Sequence, residues 1–589
     1  MSSTHFFTYD MARILHLICA CFSLASALVP VPVSVRDPGH HFQWGNLTSQ
    51  IDLHYQECYS DFECARLTVP LDWKNSSSPH NVSLAVIRLP ATVPASHPNH
   101  GGTIVINPGG PGGSGVDWLL QVGKRMQRLL DGERHYEILS FDPRGIFRST
   151  PNAYCFDNAV QSEIWYDTKA AVGTLDSSEY ALKFSWASEK ARGQLCASTG
   201  NGKYPDGENL RQHVSTASVA RDLLAIVKKI DQQRLEAMTE STPRENQVPL
   251  DGSAKPIAKL QYFGQSYGTF LGTTFAAMYP EMVGKMVLDA NLDAENWQSK
   301  WEASIDDHAD IRAFFFERCF AGEHDCALYR EHDKTPGDIQ DRFENLLIAL
   351  EDSPSCLSGD GRAMPITSSD VLQGFFTTAY QPLFFFKPFA KFTNDLIVGN
   401  KPATPFWHRA VPTEDTFSDE LLTNTYQGGE VSPAVHCSDG PDLSNEGLDG
   451  FRTYLSNLTA RFGWASSYQA DFKLACWSWS PSLRTKWRFD GPFTASVPIL
   501  FVNNALDPVT PLKNAHKMAA GFEGSAVLQQ DSVGHGSLWP AGDCMWSHVK
   551  TYVDTGKLPP PDIICEPRCK PFGEECTDYD GEMEAMMWR

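Results

Sequence analysis

One stretch, Lys259 to Tyr279 (KLQYFGQSYGTFLGTTFAAMY), constrains this chain more than any other. Leu260, Tyr262 and Phe263 read as a short buried strand, which Gly264-Gln265-Ser266-Tyr267-Gly268 interrupts. Phe270, Leu271, Phe275 and Met278 then recur at helical spacing until Pro280 closes the pattern. A strand that becomes a helix across G-x-S-x-G brings two backbones together, so a side chain at Gly264 or Gly268 would clash. Ser266 is left at the tip of the turn, and the helix N-terminus behind it favours negative charge nearby. In this context the motif is a nucleophile elbow. The five residues alone fit an ordinary Gly-rich turn equally well, so the chain must also supply a base, an orienting acid and an oxyanion site.

The 589 residues exceed a typical single domain, which predicts a core domain carrying a large insertion. A net charge of -22 excludes nucleic acid as a partner, because that role needs a basic face. At the N-terminus, Arg13 precedes an apolar run from Ile14 to Leu28, and Ala25-Ser26-Ala27 is a small-residue cleavage signal. This predicts a secretory signal peptide over residues 1–27 and no membrane association after its removal. Of the 15 cysteines, Cys19 and Cys21 fall in that segment, and the odd number remaining leaves at least one free or paired between chains. Cys58/Cys64, Cys319/Cys326 and the group Cys565, Cys569 and Cys576 suit local bridges; Cys155/Cys196 and Cys437/Cys476 are longer-range guesses. None has zinc-site spacing, so no metal is expected. Sequons at Asn46, Asn75, Asn81 and Asn457 complete the picture of an oxidising, extracellular route.

Along the chain, Cys64 to Trp73 and Asn81 to Leu89 read as an antiparallel pair at a sheet edge. From Gly102 the rhythm becomes strand, loop, helix. Thr103 to Ile106 is a strand, the loop Asn107-Pro108-Gly109-Gly110-Pro111-Gly112-Gly113-Ser114-Gly115 follows, and Val116 to Leu130 is helical. Tyr136 to Phe141 and Lys285 to Leu288 are further strands, Thr216 to Ile230 is an amphipathic helix, and a polar linker spans Asp231 to Lys255. The alternation predicts an α/β fold with a mostly parallel sheet flanked by helices. It stops near Trp297. Residues 297–490 are aromatic-rich with helical periodicity and predict an inserted, largely helical cap domain, between core segments 28–296 and 491–557. Residues 558–589 form a Cys-rich acidic tail.

Beyond the cap, a strand Val497 to Val502 leads to Asp507, and a last strand, Ala526 to Gln529, leads to His535. Ser266, Asp507 and His535 thus each follow a strand end, where open α/β sheets collect their reactive groups, in the chain order of α/β-hydrolases. Each residue type has a task. Serine is a weak nucleophile until a base takes its proton, imidazole titrates in the right range, and a carboxylate fixes its tautomer. Alone, Asp507 reads as a turn residue and His535 as a loop residue; order and placement together favour a triad. The loop at Gly109 to Gly113 lacks the Walker and dinucleotide spacings, so it suits an oxyanion hole made by Gly109 or Gly110 with the Tyr267 N–H.

NPGGPGGSG, FDPRG, GQSYGT, LDPVTP and GHG together resemble the secreted tripeptidyl-aminopeptidase-like branch of the α/β-hydrolases, which is similar to the prolyl-aminopeptidase peptidase family. The resemblance covers nearly all the mature chain. It implies a cofactor-free serine peptidase acting on peptide substrates from the N-terminus, with Ser266 as nucleophile, Asp507 as orienting acid and His535 as base. The alternative is a carboxylesterase or lipase on the same triad, and a third reading is a silent binding protein of this fold. An aminopeptidase binds an ammonium group, for which Glu430 and Asp439 in the cap are candidates. The family continues FDPRG as G-x-G-x-S, whereas Phe147 stands at the second glycine here, which predicts a rearranged loop or a narrowed cleft. Specificity and oligomeric state are outside what these residues encode.

Overall fold

Alternating burial along the strands builds two apolar cores on opposite faces of one sheet. The computed structural model describes residues 42–75, 77–198, 202–240, 259–359, 362–400, 420–489, 498–538 and 540–573. The expected signal peptide, most of the polar linker and the end of the tail lie outside them. The strands are β1 (Gln56–Cys58), β2 (Phe62–Pro70), β3 (Asn81–Leu89), β4 (His100–Asn107), β5 (His135–Asp142), β6 (Leu260–Gln265) and β7 (Val283–Asp289). A separate hairpin, β8 (Ser355–Gly359) with β9 (Arg362–Ile366), precedes β10 (Leu500–Leu506), β11 (Ala526–Val533) and β12 (Ile564–Cys565). The main sheet has ten strands in the order β1-β2-β3-β5-β4-β6-β7-β10-β11-β12. Pairing is parallel from β5 through β12 and antiparallel among β1, β2, β3 and β5, so β2 and β3 pair antiparallel near the sheet edge as expected. The fold is that of an α/β-hydrolase, with a mostly parallel sheet flanked by helices.

The helices are α1 (Gly115–Leu130), α2 (Ala159–Ala170), α3 (Glu179–Ser198), α4 (Thr216–Glu240), α5 (Tyr267–Met278), α6 (Ala294–Gln298), α7 (His308–Ala321) and α8 (Pro336–Asp352). They continue as α9 (Ser368–Thr378), α10 (Pro382–Ile397), α11 (Glu420–Asp439), α12 (Gly447–Phe462), α13 (Ser466–Ser478), α14 (Leu512–Ala520) and α15 (Asp543–Thr555). On β4, Ile104 and Ile106 join one core with α1 and α15, while Val105 between them joins the other with α4 and α5. That is the period-two alternation of a sheet covered on both faces. The helix α4 runs on to Glu240, so the first part of the expected linker is helical.

Between β7 and β10 the chain is mostly helical, as its periodicity predicts, with the β8–β9 hairpin as an unforeseen addition. Its two halves bury themselves differently. Helices α7 to α10 close around their own aromatic core, in which Phe315 meets Phe375, Phe386 and Phe389 edge to face. Helices α11 to α13 instead share the large core with α5 through Val431, Leu474 and Trp477. The helices α2 and α3 pack against α11 and α13.

The segment that follows β5 is tied down by hydrogen bonds. Arg144, just past β5, lies at 0% exposure beside Asp222 of α4, with Nη2–Oδ1 at 2.6 Å and Nε–Oδ2 at 2.7 Å. The guanidinium also donates to the Leu71, His213 and Pro70 carbonyls, and Trp73 Nε1 donates to Asp222. Burial pushes the Asp222 carboxyl up, and Arg144 opposes that shift. Phe147, expected to rearrange its loop, takes φ 40° and so keeps the left-handed conformation a glycine would adopt. Asn152 Nδ2 holds its carbonyl at 2.6 Å.

Four of the expected disulfides form: Cys58–Cys64, Cys155–Cys196, Cys319–Cys326 and Cys437–Cys476. The tail differs. Cys565 bridges to Cys544 of α15 rather than to its near neighbours, because β12 lies beside β11 and carries Cys565 to that helix. Cys569 is also disulfide-bonded, and Cys356 is free and exposed. The sequon residues Asn46, Asn75, Asn81 and Asn457 are all exposed. Among the described residues no helix is long and apolar enough to cross a membrane.

Removing one partner of the Arg144–Asp222 pair leaves a buried charge uncompensated. Arg144→Met is therefore expected to destabilise the fold by about 3–5 kcal/mol, and Arg144→Met with Asp222→Leu to recover most of the loss, as read by urea unfolding.

Candidate active site

Ser266 sits between β6 and α5 at φ 56° and ψ -128°, a conformation few non-glycine residues adopt. Three contacts hold it there. Its N–H donates to the Asp289 carbonyl at 3.0 Å, and its own carbonyl accepts from Thr269 N at 2.8 Å and Thr269 Oγ1 at 2.6 Å. Behind it, a Cβ on Gly268 would stand 2.7 Å from the Asn107 carbonyl oxygen, so the close approach of α5 to β4 admits no side chain. Ser266 is half-buried.

The Gly-rich loop after β4 lies directly against this turn. At Gly109 (φ 91°), an added Cβ would stand 2.8 Å from the Tyr267 nitrogen and 2.9 Å from Ser266 Cβ. The two glycines expected to donate are not equivalent. The Gly109 N–H donates to Asn107 Oδ1 at 3.0 Å, so it is already engaged within its own loop. Tyr267 itself is fixed at its far end. Its hydroxyl bonds Thr216 Oγ1, and Thr216 donates that oxygen's proton to Asp439 Oδ2 at 2.6 Å, so the tyrosine is the donor of the first bond.

Asp507 and His535 are brought together as their strand-end positions imply. His535 Nδ1 lies 3.0 Å from both Asp507 carboxylate oxygens. Asp507 is fully buried, and its Oδ1 also accepts from Val509 N at 3.0 Å and Thr510 N at 2.8 Å. These donors fix the carboxylate plane, and a carboxylate at Nδ1 leaves Nε2 as the nitrogen that can accept a proton. Burial alone would lower the His535 pKa, but the Asp507 charge and hydrogen bond outweigh it and raise it above the ordinary 6.5.

Residues from the helical segment grip both loops, which the sequence did not signal. Asp307, at the start of α7, accepts the Asp507 N–H at 3.0 Å. The Tyr380 carbonyl, between α9 and α10, accepts the His535 N–H at 2.8 Å, and the Tyr380 ring meets the imidazole edge to face at 5.2 Å. Burial pushes the Asp307 carboxyl up to about 6.

The carboxylates expected to meet a substrate ammonium are placed differently. Asp439 is 3% exposed and accepts from Thr216 N, Thr216 Oγ1 and Trp297 Nε1, so it braces the Tyr267 side of the elbow instead of standing open in the cleft. Glu430 is 4% exposed, and its Oε2 accepts the Cys155 and Phe156 N–H groups at 2.9 and 3.2 Å. Both carry structural bonds because α11 is packed into the core rather than lying over it. Trp297, at the start of the expected cap, meets Tyr267 and Phe270 at 5.8 and 6.0 Å.

In sequence, the chain is similar to several known hydrolases. A family model described as TAP-like protein matches residues 460–565, the stretch that carries Asp507 and His535. A tripeptidyl aminopeptidase of Streptomyces lividans is 24% identical over 534 residues, covering 88% of this chain and 87% of that protein. Serine protease Hip1 of Mycobacterium tuberculosis is 24% identical over 520 residues, covering 85% of this chain and 87% of its own length. Carboxylesterase B of Mycobacterium tuberculosis is 38% identical over 96 residues, 16% of this chain and 17% of that protein.

Gly109→Ala places a methyl group against the elbow backbone. It is expected to slow covalent labelling of Ser266 by a fluorophosphonate by about 100-fold or more, with the far-ultraviolet circular dichroism spectrum retained.

Proposed function

For a chain that is a tripeptidyl-aminopeptidase-like α/β-hydrolase, we propose the activity of a secreted serine peptidase that removes tripeptides or single residues from peptide N-termini. The observation that carries this reading is the Asp507–His535 pair, bonded at 3.0 Å on the loops that follow β10 and β11 of the sheet whose β6 ends at Ser266. His535 Nε2 takes the Ser266 proton as the hydroxyl oxygen attacks the scissile carbonyl. The oxyanion that forms is taken up by the Gly110 and Tyr267 N–H groups, the Gly109 N–H being bonded to Asn107. Imidazolium then gives its proton to the departing amine, which leaves an acyl-enzyme, and water reverses the sequence to free Ser266. Asp507 holds the tautomer and stabilises the imidazolium throughout. Tyr267 is both an oxyanion donor and an anchored side chain, so Asp439 acts on the site through Thr216.

The secreted route rests on the apolar run with its Ala25-Ser26-Ala27 exit, on the disulfides and on four exposed sequon asparagines. A carboxylesterase reading has one specific support, the 38% identity to carboxylesterase B, which spans only 96 residues. Peptidase and esterase share every step written above and differ only in the leaving group.

Unblocked tripeptidyl- or aminoacyl-arylamides are expected to turn over, and the same peptides with acetylated N-termini to fail. Turnover of simple acyl esters alone would transfer the reading to the esterase. Ser266→Ala should abolish both activities and fluorophosphonate labelling; persistent labelling in that variant would remove Ser266 from the mechanism. Because the base must be neutral, kcat/KM should fall as the pH drops through the raised His535 pKa, above 6.5.

A further inference from the structure

A second carboxylate stands behind the candidate triad and is unused by the steps above. Asp289 ends β7, in register with Gln265 of β6 on one side and Val502 of β10 on the other. It therefore lies between the strand that ends at the nucleophile and the strand that leads to the acid. Its backbone carbonyl accepts the Ser266 N–H at 3.0 Å. Its carboxylate accepts the Ser537 N–H at 3.0 and 2.9 Å, two residues past His535, together with the Ser537 hydroxyl. One residue thus ties the serine turn to the histidine loop, from a position with 0% exposure. The backbone just beyond it is strained: Ala290 takes φ 61° and is held by its N–H to the Val502 carbonyl at 3.0 Å.

We propose that Asp289 is a positioning residue for the reaction, which sets the Ser266 turn against the His535 loop and presents a second buried negative charge to the imidazole. The charged groups that face it are His535, which favours its ionised form, and Asp507, which opposes it. Burial pushes the Asp289 carboxyl up to about 7, the Ser537 donors and His535 acting against that shift. In the opposite direction, Asp289 adds to Asp507 in raising the His535 pKa. Proton transfer from Ser266 creates imidazolium, which the Asp507 charge and the ionised form of Asp289 both favour, so both charges stabilise the transition state more than the resting enzyme. The proposal rests on the reading of Ser266, Asp507 and His535 as the triad.

The test compares wild type with Asp289→Asn, which keeps the shape and one acceptor oxygen but removes the charge. Fluorophosphonate labelling of wild-type Ser266 comes first; if it is absent, the triad reading and this one fall together. With labelling present, Asp289→Asn is expected to fold, to lose on the order of tenfold in kcat with KM unchanged, and to shift the acidic limb of kcat/KM down by about half a pH unit or more. A folded Asp289→Asn with the wild-type kcat and acidic limb overturns the proposal and leaves the triad standing. Should that variant not fold, Asp289→Glu replaces it. This variant keeps the charge and is expected to lower kcat while holding the acidic limb at its wild-type pH. A downward shift of the limb in Asp289→Glu equally overturns the proposal.

Discussion

A serine held at φ 56° and ψ -128° is the constraint from which the rest of the site follows. Left to itself, a residue with a Cβ avoids this region, at a cost of roughly 1–3 kcal/mol. The turn persists because its neighbours over-determine it: β7 accepts its N–H, Thr269 closes its carbonyl, and Gly268 lets α5 lie on Asn107. Every one of these partners is a strand or helix end. The cores on the two sheet faces therefore hold the serine indirectly, by fixing the elements from which the partners project.

The same division of labour explains the oxyanion side. Asn107 ends β4 and uses its side chain to hold Gly109, the residue before the proposed Gly110 donor. Tyr267 is held by Thr216 and Asp439 from the other direction. The donors proposed for the oxyanion are thus backbone groups fixed by buried side chains, which is what electrostatic preorganisation requires.

Much of this was legible before any coordinates. Ser266, Asp507 and His535, the candidate nucleophile, acid and base, each follow a strand whose apolar run is plain, and the order of the three along the chain is restrictive. The Gly-rich loop was legible for the same reason. What stayed hidden depends on tertiary register. That the Gly109 N–H is engaged is decided by the Asn107 side chain, and the Cys544–Cys565 bridge by β12 pairing with β11. Asp289 carried a usable signal, an acid at the end of Lys285-Met286-Val287-Leu288, but one that reads as a strand terminus until its neighbours are known. Glu430 and Asp439 were visible as acids of the cap region, yet their burial depends on α11 sinking into the main core, which no local pattern encodes. The helices α2 and α3 escaped notice because their burial does not follow an apolar period: in α2, Val160 and Ile164 are exposed while Ser162 and Glu163 are buried.

The grip of Asp307 and Tyr380 on the two loops has a mechanical corollary. A helical layer that merely covered a cleft could swing aside and leave the candidate triad beneath it unchanged. Here the residues that would swing accept the backbone protons of Asp507 and His535. Lifting them breaks two hydrogen bonds, at about 1 kcal/mol each, and loosens the base at the same moment. Under the proposed function, opening on this side competes with holding the acid and the base in place, because Asp307 and Tyr380 serve both.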